Sequence, residues 1–159
     1  MRRHLVVFAV PILMAAAALA QTASKPNLSG VWKLDSQASN WGLVPPADSA
    51  RYVIRHVGTR LSMEYFEDSH SQKIDFVPDG EEHTVVKDAN AETIIRPYWE
   101  GSVLVIESRV RPGSSTSNQL PAEWTSKWSV SPDGKSLTIA RHIKVRNQTT
   151  DQSLVFRKQ

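Results

Sequence analysis

The sequence predicts an all-β fold: a single antiparallel meander closed into an up-and-down barrel of eight to ten strands. Three observations carry that prediction. Beyond residue 20, runs of six to ten residues with two-residue alternation follow one another, and no segment sustains a helical period with caps. Turn sequences separate the runs, with Pro-Asp-Gly occurring twice. A long sheet with one apolar face must curl over to hide that face, and closure also removes the exposed edges that invite aggregation.

The chain opens with MRRHLVVFAVPILMAAAALA, in which Arg2 and Arg3 precede an apolar run from Leu5 to Ala20 that ends in Ala18, Leu19 and Ala20. That is the layout of a cleaved signal peptide. The run is 16 residues and contains Pro11, short of the roughly 20 needed to cross a bilayer. Residues 1–20 are therefore read as a signal segment and 21–159 as one barrel domain, secreted or periplasmic in a bacterium, with no stable membrane insertion after cleavage. Without residues 1–20, Lys plus Arg falls from 19 to 17 against 16 Asp plus Glu. A net charge near +1 argues against a nucleic-acid partner, which needs a concentrated basic surface. The chain has no cysteine, so an exported domain must hold together by packing and hydrogen bonding alone.

The strands fall, in order, at Ser29–Ser36, Ala50–Val57, Arg60–Glu67, Gln72–Val77, Glu81–Lys87, Glu92–Trp99, Ser102–Arg111, Glu123–Ser131, Ser136–Val145 and Gln152–Arg157. Val77-Pro-Asp-Gly80 and Ser131-Pro-Asp-Gly134 each place proline where its fixed φ starts a turn and glycine where a positive φ completes it. Each should join two strands lying side by side. Two connections are long. Gln37 to Ser49 carries two prolines yet also Trp41 and Leu43, apolar side chains expected to fold over the barrel mouth; Pro112 to Pro121 is polar.

Alternation also assigns faces. In the ninth run Leu137, Ile139, Arg141, Ile143 and Val145 share the core side; in the eighth, Trp124, Ser126, Trp128 and Val130; in the seventh, Leu104, Ile106, Ser108 and Val110. Leu61, Met63 and Tyr65 behave likewise, as do Tyr52, Ile54 and His56.

Two motifs carry a resemblance. Ser29-Gly30-Val31-Trp32-Lys33-Leu34 opens the first strand, and Trp128, Ser131, Asp133, Gly134, Lys135, Leu137 and Thr138 form a Trp-x-x-Ser-x-Asp-Gly-Lys-x-Leu-Thr hairpin. With the long first loop and an arginine ending the last strand, the chain resembles the calycin superfamily, the lipocalins and fatty-acid-binding proteins. It looks closer still to the lipocalin-like secreted proteins of soil bacteria. The resemblance implies that Trp32 plugs the closed end while Arg157 packs across its ring, with Gly30 leaving room beneath. It also implies a small hydrophobic or amphiphilic ligand. Lipocalins carry a helix before the last strand that this sequence lacks.

Arg141 is the most unusual residue, because its phase puts a cation among Leu137, Ile139 and Ile143. It must stack on a tryptophan, pair with a carboxylate such as Glu107, reach solvent on a shifted strand, or face a cavity and meet a ligand carboxylate. Tyr52, Met63, Tyr65, Trp124 and Trp128, with Trp41 and Leu43 from the loop, are the candidate lining of that cavity. The histidines His56, His70, His83 and His142 show no metal-ligand spacing, so no metal or cofactor is expected. No Gly-x-Ser-x-Gly elbow, phosphate-binding loop or dinucleotide fingerprint is present, and the expectation is a binding protein, not an enzyme. The alternative is a solid barrel serving as a structural or protein-interaction domain of the cell envelope. Cavity volume separates the two, since a binding site encloses about 300 Å³ or more.

Overall fold

In a computed structural model the described residues are 24–113 and 120–159. The expected signal segment, 1–20, and the middle of the polar loop, 114–119, lie outside the described residues. Ten strands form: β1 Gly30–Leu34, β2 Ala50–Val57, β3 Arg60–Glu67, β4 His70–Phe76, β5 His83–Lys87, β6 Ala91–Glu100, β7 Val103–Pro112, β8 Ala122–Val130, β9 Ser136–Val145 and β10 Gln148–Lys158. β2, β3 and β9 have the bounds that alternation predicts. β10 starts earlier than predicted because its polar opening, Gln148 to Asp151, pairs with Val145 to His142 across the tight turn at Arg146, where φ is 54°.

All ten strands lie in one antiparallel sheet in the order β4-β3-β2-β1-β10-β9-β8-β7-β6-β5. The first and last strands pair, with Trp32 opposite Lys158 and Leu34 opposite Phe156. The barrel is therefore nearly closed, with its seam between the two sheet edges, β4 and β5. That seam corrects one reading of the turns. Ser131 to Gly134 does close a hairpin, the Ser131 N–H donating to Ser136 O and the Gly134 N–H to Ser131 O. Val77 to Gly80 does not, because the Gly80 N–H goes to Pro97 O on β6 at 2.9 Å while Arg96 Nε donates to Gly80 O. The connection is tied to the edge of β6 beyond the end of β5, and β4 and β5 are not hydrogen-bonded to each other.

Burial on the inward face falls from one end of the barrel to the other. Leu61, Leu104, Leu137 and Ile139 are fully buried, whereas Tyr65, Val110, Trp124, Ile143 and Val145, further along the same strand faces, are only half-buried. The first end is closed. Trp32 fills it with no exposed surface, and its Nε1 donates to Leu28 O at 2.9 Å. Leu28, ahead of β1, is itself fully buried, so the incoming chain folds under the floor.

The cation beneath Trp32 is not the one expected. Lys158 places its ammonium 5.1 Å from the Trp32 ring centroid. Arg157 instead points outward, donating to Asp35 Oδ2 at 3.0 Å and Ser136 Oγ at 2.7 Å. The reason is parity: Arg157 lies opposite Lys33, on the other face of the sheet from Trp32. Gly30 makes the contact geometrically feasible. At φ 144° its missing side chain leaves the space through which the Lys158 stem runs, and a Cβ there would sit 2.7 Å from Lys158 Cε.

Candidate functional site

The half-buried end of the barrel holds a cavity of about 230 Å³. Six of the candidate residues line it: Tyr52 from β2, Met63 and Tyr65 from β3, Trp124 and Trp128 from β8, and Arg141 from β9. Adjacent antiparallel strands present these side chains at matching heights. Tyr52 lies opposite Tyr65, and Arg141 opposite Ser126. The Tyr52 and Tyr65 rings stack with centroids 4.5 Å apart at 29°, and Trp128 meets Tyr52 edge-on at 4.9 Å and 70°. Such geometries are favoured by the ring quadrupoles.

Sequence reasoning missed part of the wall. Gln72 and Ile74 of β4, Val85 of β5 and Thr93 of β6 also face the cavity. β4 is polar on both faces around Gln72, and β5 carries a register shift between Thr84 and Val86, so alternation gives no clean inward set in either. Ser108 and Ser126 were visible as inward positions without a role. Ser126 Oγ donates to Ile106 O and accepts from Trp128 Nε1 at 3.1 Å, which fixes the indole.

Arg141 is the charge of the site. One guanidinium nitrogen, Nη2, donates to Tyr52 Oη at 2.7 Å, while Nε is buried without a partner. Among the described residues no carboxylate oxygen lies within 4.0 Å of it. Pairing with Glu107 does not occur. The same alternation that turns Leu104, Ile106 and Ser108 inward turns Glu107 out, where it accepts from Arg96 at 3.2 Å and Tyr98 Oη at 3.0 Å. Burial pushes the Tyr52 phenol up, with the Arg141 charge opposing it. Burial, then Tyr52 and Glu67, push the Tyr65 phenol up as well. Both phenols are thus neutral at physiological pH.

The first long loop behaves differently from expectation. It runs beside β10, with Asn40 and Ser153 exchanging backbone hydrogen bonds at 2.8 Å and the Leu43 N–H donating to Thr150 Oγ1 at 3.0 Å. Trp41 turns inward against the core and its carbonyl accepts from Gln152 Nε2 at 3.2 Å. Leu43 is 81% exposed. Its backbone is held by the Thr150 side chain of β10 while its own side chain points into solvent, and neither it nor Trp41 lines the cavity. The histidines are dispersed: His56 takes a hydrogen bond on Nδ1 from the Leu28 N–H, His83 meets Asp79 and His142 meets Asp151. Among the described residues no group of three or more His, Cys, Asp or Glu is arranged to hold a metal.

No protein-family model matches the chain, and no curated protein matches it in sequence. Solved structures do match in fold. A fatty acid transporter, REP1-NXSQ, aligns with a TM-score of 0.55 and 12% identity over 83% of this chain and 96% of its own. The zebrafish ileal bile acid-binding protein, complexed with cholic acid, aligns with a TM-score of 0.57 and 16% identity over 82% of this chain and 98% of its own. At such identities the likeness establishes the fold, that of the calycin-like, fatty-acid-binding-protein-like barrels.

Proposed function

We propose that this calycin-like barrel is exported under the direction of residues 1–20 and binds a small amphiphilic acid in its half-buried end, the carboxylate on Arg141 and the apolar part against Met63, Tyr65, Trp124 and Trp128. The observation that carries the reading is a cation lining an aromatic cavity with, among the described residues, no carboxylate oxygen within 4.0 Å of it, the nearby Glu67 acting instead on the Tyr65 phenol. A desolvated guanidinium is costly unless paired, and one neutral phenol offsets only part of that cost. A ligand carboxylate would supply charge-assisted hydrogen bonds. The structural neighbours support the reading, since one is a fatty acid transporter and the other a bile acid-binding protein, named for carriage or binding.

A second reading has its own support. The closed half is packed solid, and about 230 Å³ falls below the roughly 300 Å³ at which ligand pockets usually begin. A barrel serving only as a structural or interaction domain of the cell envelope would look much like this below Arg141. Titration decides between them. Tryptophan fluorescence and calorimetry with decanoate, hexadecanoate and 2-naphthoate should show saturable binding of at least one acid, and Arg141→Met should weaken it by about tenfold or more. No binding by any of the three, or equal affinity in the variant, removes the carrier reading. Export is checked by mass: the protein recovered from the envelope should lack about 20 N-terminal residues.

A further inference from the structure

We infer that the cargo is a compact aromatic carboxylate of one or two rings, and not a long-chain acid; this rests on the reading of the Arg141 cavity given above. Volume is the first argument. The cavity is about 230 Å³, larger than the engineered apolar cavity of about 150 Å³ that accepts benzene and smaller than the sites that enclose drug-sized molecules. It has no downward extension, because Trp32, Leu104, Leu137, Ile139 and Phe156 fill the space below with no exposed surface. A long acyl tail would have to leave through the mouth or through the β4–β5 seam.

Wall chemistry is the second argument. Flat rings from three strands surround the space: the stacked Tyr52 and Tyr65, the edge-on Trp128, and Trp124 nearer the mouth. Ring-to-ring contact rewards a flat partner through orientation, which an aliphatic chain cannot exploit. Polarity is the third. The wall also offers Gln72, Thr93 and Ser108, an amide and two hydroxyls that suit a ring bearing a polar substituent and disfavour a hydrocarbon tail laid along them.

The test compares three acids of equal charge on the full barrel domain by calorimetry: 2-naphthoate, its saturated analogue decahydro-2-naphthoate, and hexadecanoate. The expected order is 2-naphthoate tightest, by about fivefold over the saturated analogue and about tenfold over hexadecanoate. Trp124→Leu should reduce 2-naphthoate affinity severalfold while leaving the saturated analogue within about twofold. Hexadecanoate binding as tightly as 2-naphthoate, with the affinity still lost in Arg141→Met, overturns the inference and leaves the acid carrier standing. Equal affinity for the two bicyclic acids overturns the aromatic preference. Binding by none of the acids removes both the inference and the carrier reading.

Discussion

At Arg141, stability and binding pull in opposite directions. Its guanidinium sits half-buried with one phenol as partner and Nε unpaired, so the folded state bears a desolvation cost that a methionine of similar length would not. Arg141→Met should leave the unliganded barrel as stable as the parent or more stable by about 1 kcal/mol in urea denaturation; a loss above about 2 kcal/mol would make the residue structural. Trp32 is the opposite case. It has no exposed surface and an Nε1 bond to Leu28 O, and Trp32→Ala should cost about 3–5 kcal/mol. The cation beneath it contributes less: Lys158→Met should cost about 0.5–1 kcal/mol. Arg157→Met acts elsewhere, through Asp35. The Arg157 hydrogen bond is the main cause holding the Asp35 carboxyl below its usual range. A depressed carboxylate stabilises above its unfolded pKa and loses that contribution as pH falls through the folded value, so Arg157→Met should flatten the fall in stability below about pH 4. That the floor needs a tryptophan and a terminal cation was legible in the sequence. Which cation was not, because a one-residue change of register reverses every side chain of a strand, and register across the closure is set by the whole sheet.

Elements with alternating sequence were legible to the residue, as β2, β3 and β9 show; the two edge strands were not. Identical Pro-Asp-Gly triplets end in different structures because their partners differ. At Ser131, the Asp133 carboxylate accepts from Ser131 Oγ and the Lys135 N–H, and Ser131 Oγ accepts the Ser136 N–H, so the turn is closed from within. At Asp79 the carboxylate is taken by the Glu81 N–H and His83, and Gly80 by β6. A three-residue motif cannot report those distant acceptors. Gly134 has φ 70° with open space around it, so Gly134→Ala should cost about 1–2 kcal/mol from backbone strain alone. Hydrogen exchange should be fastest in β4 and β5, whose outer edges lack backbone partners, and slowest in β9 and β10. Equal protection of β4 and β9 would mean that the seam closes in solution.

Along the barrel axis the molecule divides its tasks. The closed half is a packed core from which stability derives, and the open half trades packing for a space with one charge in it. The two tryptophans of β8 sit on either side of that division, four residues apart on one face: Trp128 is almost fully buried among Tyr52 and the core, and Trp124 is half-buried near the mouth. Their alanine variants should therefore separate two kinds of loss. Trp128→Ala opens a cavity in a packed region and should cost about 3–5 kcal/mol. Trp124→Ala removes a wall that water already touches and should cost only about 1–2 kcal/mol, yet it should lower affinity for 2-naphthoate severalfold. Ligand should act on the same half. A bound acid at about a hundredfold excess over its Kd adds about 2.7 kcal/mol to global stability, so Leu61, Leu104 and Leu137, exchanging at the global limit, should gain that amount, and the amides around Tyr65, Thr93, Trp124 and Arg141 should gain as well, because local opening of their half releases the acid. A gain at Leu61, Leu104 and Leu137 with none around Tyr65, Thr93, Trp124 and Arg141 would mean that local opening of the open half leaves the acid bound and that this half is not the binding layer.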